Sequence, residues 1–210
     1  MGQAIADSGI PREEFFITTK IWHSHHSYED AKKACVESLE KLQTDYIDLY
    51  LIHQNIGDVF ATWRALEELY EEGKVKAIGV CNFTETRFTN LAIHNKVKPM
   101  VNQIEFHPGY TQPETVAYAQ EKGMLVQAFS PLGCGAVLGD ETLSEIAKKY
   151  NKSVAQICLR YVLQSGLNVL TKSVTPERII ENAQIFDFEL TAEDMAVISA
   201  MPEVGFTGWL

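Results

Sequence analysis

The chain has 210 residues, of which 46% are hydrophobic, 10% aromatic and 22% charged, enough apolar material to bury one sizeable core. This profile excludes disorder, collagen-like repeats and coiled coil. With 18 basic against 28 acidic side chains the formal charge is −10, and without a basic run this argues against nucleic acid or an anionic membrane as partner. No apolar stretch is long enough to span a bilayer, and the opening Met1-Gly2-Gln3-Ala4-Ile5 lacks the basic flank and apolar centre of a signal peptide. The cytoplasm is the expected compartment. Cys35, Cys81, Cys134 and Cys158 form no C-x-x-C pair, so reduced, buried thiols are expected rather than a disulfide framework or a zinc site.

Short β-rich runs alternate with longer amphipathic ones. Phe15 to Trp22 predicts a strand, and Ser27 to Leu42 a helix that opens on an S-x-x-D capping pattern at Ser27 and Asp30. The unit then repeats: strand-like runs are Tyr46 to His53, Val75 to Phe83, Met100 to His107, Met124 to Ser130 and Leu167 to Val174. Helix punctuation follows each, with Asp58 and Gly73 around the second helix, Thr84 before the third, and Pro113 and Gly123 around the fourth. Two helices are expected near Thr142 to Tyr150 and Ser153 to Gln164, the second with a Ser153 to Gln156 capping box, and two more open at Thr175-Pro176 and Thr191. The acidic stretch Glu67 to Glu72 reads as a solvated helix face.

Strands separated by crossover helices pair in parallel, because right-handed βαβ crossovers return each strand to the same direction. No G-x-G-x-x-G or G-x-x-x-x-G-K-[ST] follows any strand, which disfavours a nucleotide-binding doubly wound sheet. The expected fold is therefore α/β, a TIM (β/α)8-type barrel that is incomplete, with six of eight parallel strands in a single domain over residues 1–210. In a barrel the active site gathers at the carboxyl ends of the strands. Those ends carry Lys20, His53, Cys81 with Asn82, Gln103 with Glu105 and His107, Phe129 with Ser130, and Lys172 with Ser173. A lysine closing an apolar strand is unusual, since burying an unpaired ammonium costs several kcal/mol. His23, His25 and His26 follow the first strand, but without a carboxylate or cysteine at partner spacing no metal is expected.

Six segments together resemble the aldo-keto reductase superfamily: Phe15 to Trp22, the D-x-x-L-I-H of Asp48 to His53, G-V-C-N-F at Gly79 to Phe83, V-N-Q-I-E-F-H-P at Val101 to Pro108, A-F-S-P-L-G at Ala128 to Gly133, and T-K-S-V-T-P-E-R-I-I-E-N at Thr171 to Asn182. The resemblance covers essentially the whole chain, and its nearest subgroup is the small bacterial diketogluconate and glyoxal reductase type. It implies transfer of a hydride from a reduced nicotinamide to a small-molecule carbonyl, whose oxygen gains negative charge that donors must meet. It implies that His53 bonds that oxygen and that Lys20 lowers the pKa of a tyrosine acid. Cofactor roles fall on Cys81, Asn82, Gln103, Phe129, Ser130 and Leu132, with Cys81 standing where serine is usual and Phe129 where a stacking tyrosine is usual. Lys172, Ser173, Arg178, Glu181 and Asn182 are implied to hold the adenosine end and its 2′-phosphate, which favours NADPH over NADH. Trp22 resembles the aromatic wall of the substrate pocket.

The resemblance also implies two strands before Lys20 that carry an aspartate and the proton-donating tyrosine, on the order of 45 residues at typical unit lengths. No tyrosine precedes Tyr28. The expectation is an open barrel with exposed edges that invite self-association, and low reductase activity, because losing a general acid costs ~10²- to 10⁴-fold. The tail from Phe206 to Leu210 is expected to stop where the family continues into a substrate-covering segment. Two other readings stand beside reduction: a catalytically inert NADP(H)-binding or redox-sensing module, and a barrel lyase using Lys20 as a Schiff-base nucleophile. The lyase leaves Asn82, Gln103, Lys172 and Arg178 without a role.

Overall fold

The structure is a computed structural model that describes residues 1–208; Trp209 and Leu210, the end of the expected tail, lie outside the described residues. Six parallel strands form one sheet in chain order: β1 (Thr18–Ile21), β2 (Leu49–Ile52), β3 (Ile78–Cys81), β4 (Val101–Glu105), β5 (Leu125–Phe129) and β6 (Asn168–Val169). Nine α-helices are present among the described residues: α1 (Gly2–Asp7), α2 (Tyr28–Leu42), α3 (Val59–Glu71), α4 (Glu85–His94), α5 (Pro113–Glu121), α6 (Glu141–Tyr150), α7 (Val154–Gln164), α8 (Pro176–Ala183) and α9 (Ala192–Ser199). This is the expected α/β architecture, an incomplete (β/α) barrel whose terminal strands are β1 and β6. The chain clusters into two compact units, Met1–Asn102 and Gln103–Leu210.

In the first unit, strand alternation sorts the side chains. Tyr50, Ile52, Ile78 and Val80 join Ile21, Trp63, Leu66 and Leu69 in a cluster shared with α2 and α3, whereas Leu49, Leu51, Cys81 and Val101 form a second cluster. Parallel register sets Lys20 beside Leu51 and Ile21 beside Ile52, so Lys20, Leu51 and then His53 share the face of the second cluster. Every strand is shorter than the sequence predicts. For β1 and β2 the reason is Asp48: its carboxylate accepts from the Ile17 amide at 2.8 Å, so Phe15 to Ile17 are held by a side chain before ladder pairing begins. Arg12 completes the anchor, donating to Asp48 Oδ2 at 2.7 Å, to the Phe15 carbonyl at 2.8 Å and to the Tyr46 carbonyl at 2.9 Å, with its guanidinium over the Tyr46 ring. Both partners of this ion pair are largely covered, so removing one strands the other. Arg12→Ala is expected to cost about 3 kcal/mol, and to lower the melting temperature of a chain this size by roughly 6–12 °C in a calorimetric scan.

Thr84 and Thr175 stand at the expected helix starts without a side-chain cap bond, whereas the other expected caps are made. Ser27, Asp58 and Thr191 each accept from the backbone three residues on, and Ser153 and Gln156 form the full capping box. The acidic stretch needs correction: Glu67 is buried, because its carboxylate accepts from the Val97 amide at 2.7 Å, and Glu68 takes bonds from Lys32 and Tyr28 rather than facing water alone. Cys35, Cys81 and Cys158 are buried free thiols, but Cys134 is exposed in the 3-10 turn Gly133–Gly135. No helix among the described residues is long and apolar enough to cross a membrane.

In the second unit, β6 is only two residues long where eight were expected. After the Leu170 amide donates to Ala128, the chain leaves the ladder, and Ser173 Oγ accepts from the Thr175 amide in a turn that feeds α8 at Pro176. Lys172 and Ser173 therefore sit on a connection, not on a strand end. In the same unit α6 is tied to α9 through Asp194. Burial pushes the Asp194 carboxyl up, yet bonds from Lys149, Tyr150 and Thr191 outweigh this and hold it at about 2, below the ordinary 3.8. A depressed carboxyl stabilises the fold above pH ~4 and loses that contribution as pH falls through its folded value. Urea unfolding from pH 5 to pH 2 is expected to show Asp194→Asn weaker at pH 5 and the difference from the native chain vanishing toward pH 2.

Candidate active site

The residues expected to perform the chemistry lie in the first unit. His53 follows β2 directly, and its amide donates to the Ile21 carbonyl at 3.2 Å, so the end of β1 fixes where the imidazole emerges. Trp22, next along from β1, is 49% exposed and stacks at a tilt on the His53 ring, with centroids 4.8 Å apart. Lys20 is exposed rather than buried, so it avoids the desolvation cost that a strand-ending lysine was expected to carry. No salt bridge to Lys20 occurs among the described residues, and its charge acts on its neighbours. Burial lowers the His53 imidazole below its usual 6.5, and the positive charge of Lys20 adds to that effect, followed by His23 and His26. Burial pushes the Cys81 thiol up to about 12, partly offset by Lys20. His53 is therefore a neutral ring at pH 7, able to donate an N–H.

Cys81 closes β3 with its side chain packed among Leu49, Leu51 and Val101. Asn82 is exposed and adopts left-handed backbone, φ 56°, a conformation that asparagine tolerates better than most residues. The turn breaks strand alternation there. Tyr28 is not beside Lys20: its hydroxyl donates to Glu68, which raises its pKa. His26 is also engaged, its Nδ1 lying 2.6 Å from the Ile56 carbonyl oxygen.

The second unit contains a cleft of about 360 Å³ lined by Leu132, Lys172, Ser173, Arg178, Glu181 and Asn182. Six of the residues to which the resemblance assigns cofactor contact thus share one cavity. Their placement has local causes. Asn182 Nδ2 donates to Thr171 Oγ1 at 3.2 Å, tying α8 to the connection that carries Lys172. Gln156 Nε2 donates to the carbonyls of Glu181 and Gln184 at 3.2 and 3.0 Å, and Arg160 donates to that of Ile185 at 3.0 Å, seating α8 on α7. Two cations against one carboxylate, beside the first turn of a helix, make a setting for an anion. Sequence reasoning missed Leu138, Ser153, Val154 and Ala155, which complete the lining. The capping box marked where α7 starts, but nothing in it marks which way that start faces.

Gln103, Phe129 and Ser130, in the same unit, are not part of this lining. Gln103 is buried in β4 with its Nε2 donating to Gln127 Oε1 at 2.9 Å, Phe129 ends β5 half-buried, and Ser130 follows with φ 52° and its hydroxyl 3.1 Å from Cys134 Sγ.

The sequence model of the Aldo/keto reductase family matches residues 1–203. The chain belongs to the aldo/keto reductase family. Among curated aldo/keto reductases, the glyoxal reductase of Bacillus subtilis (strain 168) is 50% identical over 202 residues, covering 96% of this chain and 73% of the relative. A putative 2,5-diketo-D-gluconic acid reductase B superposes with a TM-score of 0.94 at 35% identity, covering all of this chain and 75% of that one. A Bombyx mori aldo-keto reductase, solved in complex with NADP, superposes with a TM-score of 0.88 at 40% identity, covering 94% of this chain and 72% of that one. This aldo/keto reductase is accordingly an oxidoreductase with the six-stranded part of its relatives' fold.

Proposed function

We propose that this aldo/keto reductase binds NADPH and reduces small aldehydes and ketones to alcohols in the cytoplasm. The observation that carries the reading is the cleft in which Lys172, Ser173, Arg178, Glu181 and Asn182 converge. Its charge and residue types fit an adenosine 2′-phosphate: Arg178 offers a planar fork of donors, Lys172 a point charge, and Asn182 a side-chain amide for the base edge. NADPH, when bound, supplies the hydride. Asn82 and Gln103 are the residues whose side-chain amides would hold the carboxamide, Phe129 would stack on a ring face, and Ser130 and Leu132 would carry the loop along the cofactor. Cys81, buried with its thiol intact, shapes the apolar wall rather than donating strongly. Trp22 borders the carbonyl substrate. His53 donates its N–H to the carbonyl oxygen as negative charge grows there, and Lys20 supplies a positive field that favours the same charge.

With Tyr28 committed to Glu68, His53 is the proton donor among these residues. Self-association through the terminal strands β1 and β6 belongs to the same reading. NADPH oxidation assayed with methylglyoxal and a simple aromatic aldehyde tests it, alongside a binding titration. Slow, saturable turnover supports the proposal; tight binding with none returns the inert NADP(H)-binding module; neither binding nor turnover contradicts both.

A further inference from the structure

Glu105 ends β4 and is fully buried with His107. An uncompensated carboxylate there costs several kcal/mol. Its compensation comes mostly from the far end of the chain: the Thr207 amide donates to Oε1 at 2.9 Å, the Thr207 hydroxyl donates to the same oxygen, and the Gly208 amide donates to Oε2 at 3.0 Å. His107 Nε2 lies 3.1 Å from Oε1, and its Nδ1 lies 2.8 Å from the Pro108 carbonyl oxygen. A side chain on residue 208 would put its Cβ 3.1 Å from Oε2 and 2.8 Å from the Phe206 ring, so that ring or the strap would have to shift to admit it. The Val204 amide adds a second tie, donating to the Gly109 carbonyl at 2.7 Å. Residues 204–208 thus form a strap laid across the end of β4.

The strap and His107 both touch the loop 130–134. That loop holds three left-handed residues in five, Ser130, Gly133 and Cys134 with φ of 52°, 52° and 51°. Two of them are not glycine, a backbone that persists only where its surroundings enforce it. The enforcement is visible: the His107 ring lies 3.2–3.3 Å from where a Cβ on Gly133 would stand, and Cys134 Sγ donates to the Thr207 carbonyl at 3.6 Å. Leu132, in the middle of this loop, lines the cleft of Lys172 and Arg178.

We propose that Glu105 is a positioning residue: by anchoring the strap at Thr207 and Gly208 it holds loop 130–134 in its left-handed shape, and through Leu132 it sets the wall of the cofactor cleft. The part of this concerning affinity rests on the cofactor reading above; the part concerning the loop does not. The test is hydrogen–deuterium exchange on the 210-residue chain, read at residues 130–135 and 204–208, with NADPH and NADH titrations in parallel. Thr207→Val removes the hydroxyl donor, and Gly208→Ala crowds the strap with a Cβ 3.1 Å from Oε2; exchange in β2 and β3 reports whether the strands stay folded in each. Both are expected to speed exchange in the two segments while β2 and β3 keep their protection. Both are also expected to raise the Kd for NADPH and for NADH by a similar factor, about tenfold for a coupling of ordinary size. Glu105→Gln, which keeps an acceptor oxygen, is expected to fall between the native chain and Glu105→Ala. Faster exchange at 204–208 with residues 130–135 unchanged would overturn the proposal. If the native chain bound no NADPH, the cofactor reading would fail while exchange at 130–135 still decided the role of Glu105. Arg178→Ala separates the two further, because loss of the phosphate grip weakens NADPH alone and leaves exchange at 204–208 untouched.

Discussion

Replacing Arg178 by alanine is expected to weaken NADPH binding about 10- to 100-fold and to leave NADH binding within about twofold of the native chain, because one charge-assisted hydrogen-bonding group is worth ~1.5–3 kcal/mol. The selectivity is the informative part. Arg178 shares its cleft with Lys172, Ser173, Glu181 and Asn182, and of the two dinucleotides only NADPH carries the 2′-phosphate that two cations would meet. Glu181 in the same lining offers a carboxylate that suits donors on the adenine and ribose. Arg178 is exposed, so its contribution is screened by salt and is expected to shrink as ionic strength rises past one Debye length's worth of screening. Lys172→Ala is expected to lose less, since an ammonium on a flexible stem lacks the bidentate fork. Isothermal titration at two salt concentrations checks both variants. Equal losses for NADPH and NADH would mean that Arg178 supports the cleft's shape rather than gripping a phosphate.

The second large effect concerns His53. Turnover of methylglyoxal is expected to fall ~10²- to 10⁴-fold in His53→Ala, the usual cost of removing a positioned proton donor. The pH dependence has a definite sign. Burial first, then the charge of Lys20, lowers the His53 pKa below 6.5. If the ring also delivers the proton, the rate rises as pH falls through that lowered value, because imidazolium is the better acid. In Lys20→Met one unfavourable charge is gone, so the midpoint moves up toward 6.5 and the rise begins at higher pH. The same sign appears in stability: folding weakens as pH falls from 6.5 through the lowered value, where the unfolded chain binds a proton that the folded one does not, and the loss is complete below it. Kinetics in His53→Ala and Lys20→Met across pH 5–8 test this, with the His53 titration followed by NMR. An unchanged rate in His53→Ala would remove it from the chemistry.

Number and order of the strands were legible because each is an apolar run flanked by cap and turn residues, and local signals such as Ser153 with Gln156 survive folding unchanged. Their ends were not, because those depend on partners far along the chain. Asp48 takes the Ile17 amide across 31 positions, and no window of sequence contains both. Glu67 shows the same limit for charge: the four glutamates of Glu67 to Glu72 read as solvated, but Val97, 30 positions on, draws one of them inside. In the site, motif resemblance found Lys172, Ser173, Arg178, Glu181 and Asn182, which lie together in sequence and in space. It missed Ser153, Val154 and Ala155, which approach from α7, and it passed over Glu105, two residues after Gln103 in the same motif, because its partners Thr207 and Gly208 are about a hundred residues away.

Calorimetric titration of the 210-residue chain with NADPH and, separately, with NADH tests the central claim most directly. The account predicts saturable one-to-one binding of NADPH, with NADH weaker by about the same 10- to 100-fold that one phosphate-gripping group supplies. Absence of NADPH binding, or equal affinity for the two dinucleotides, would contradict it.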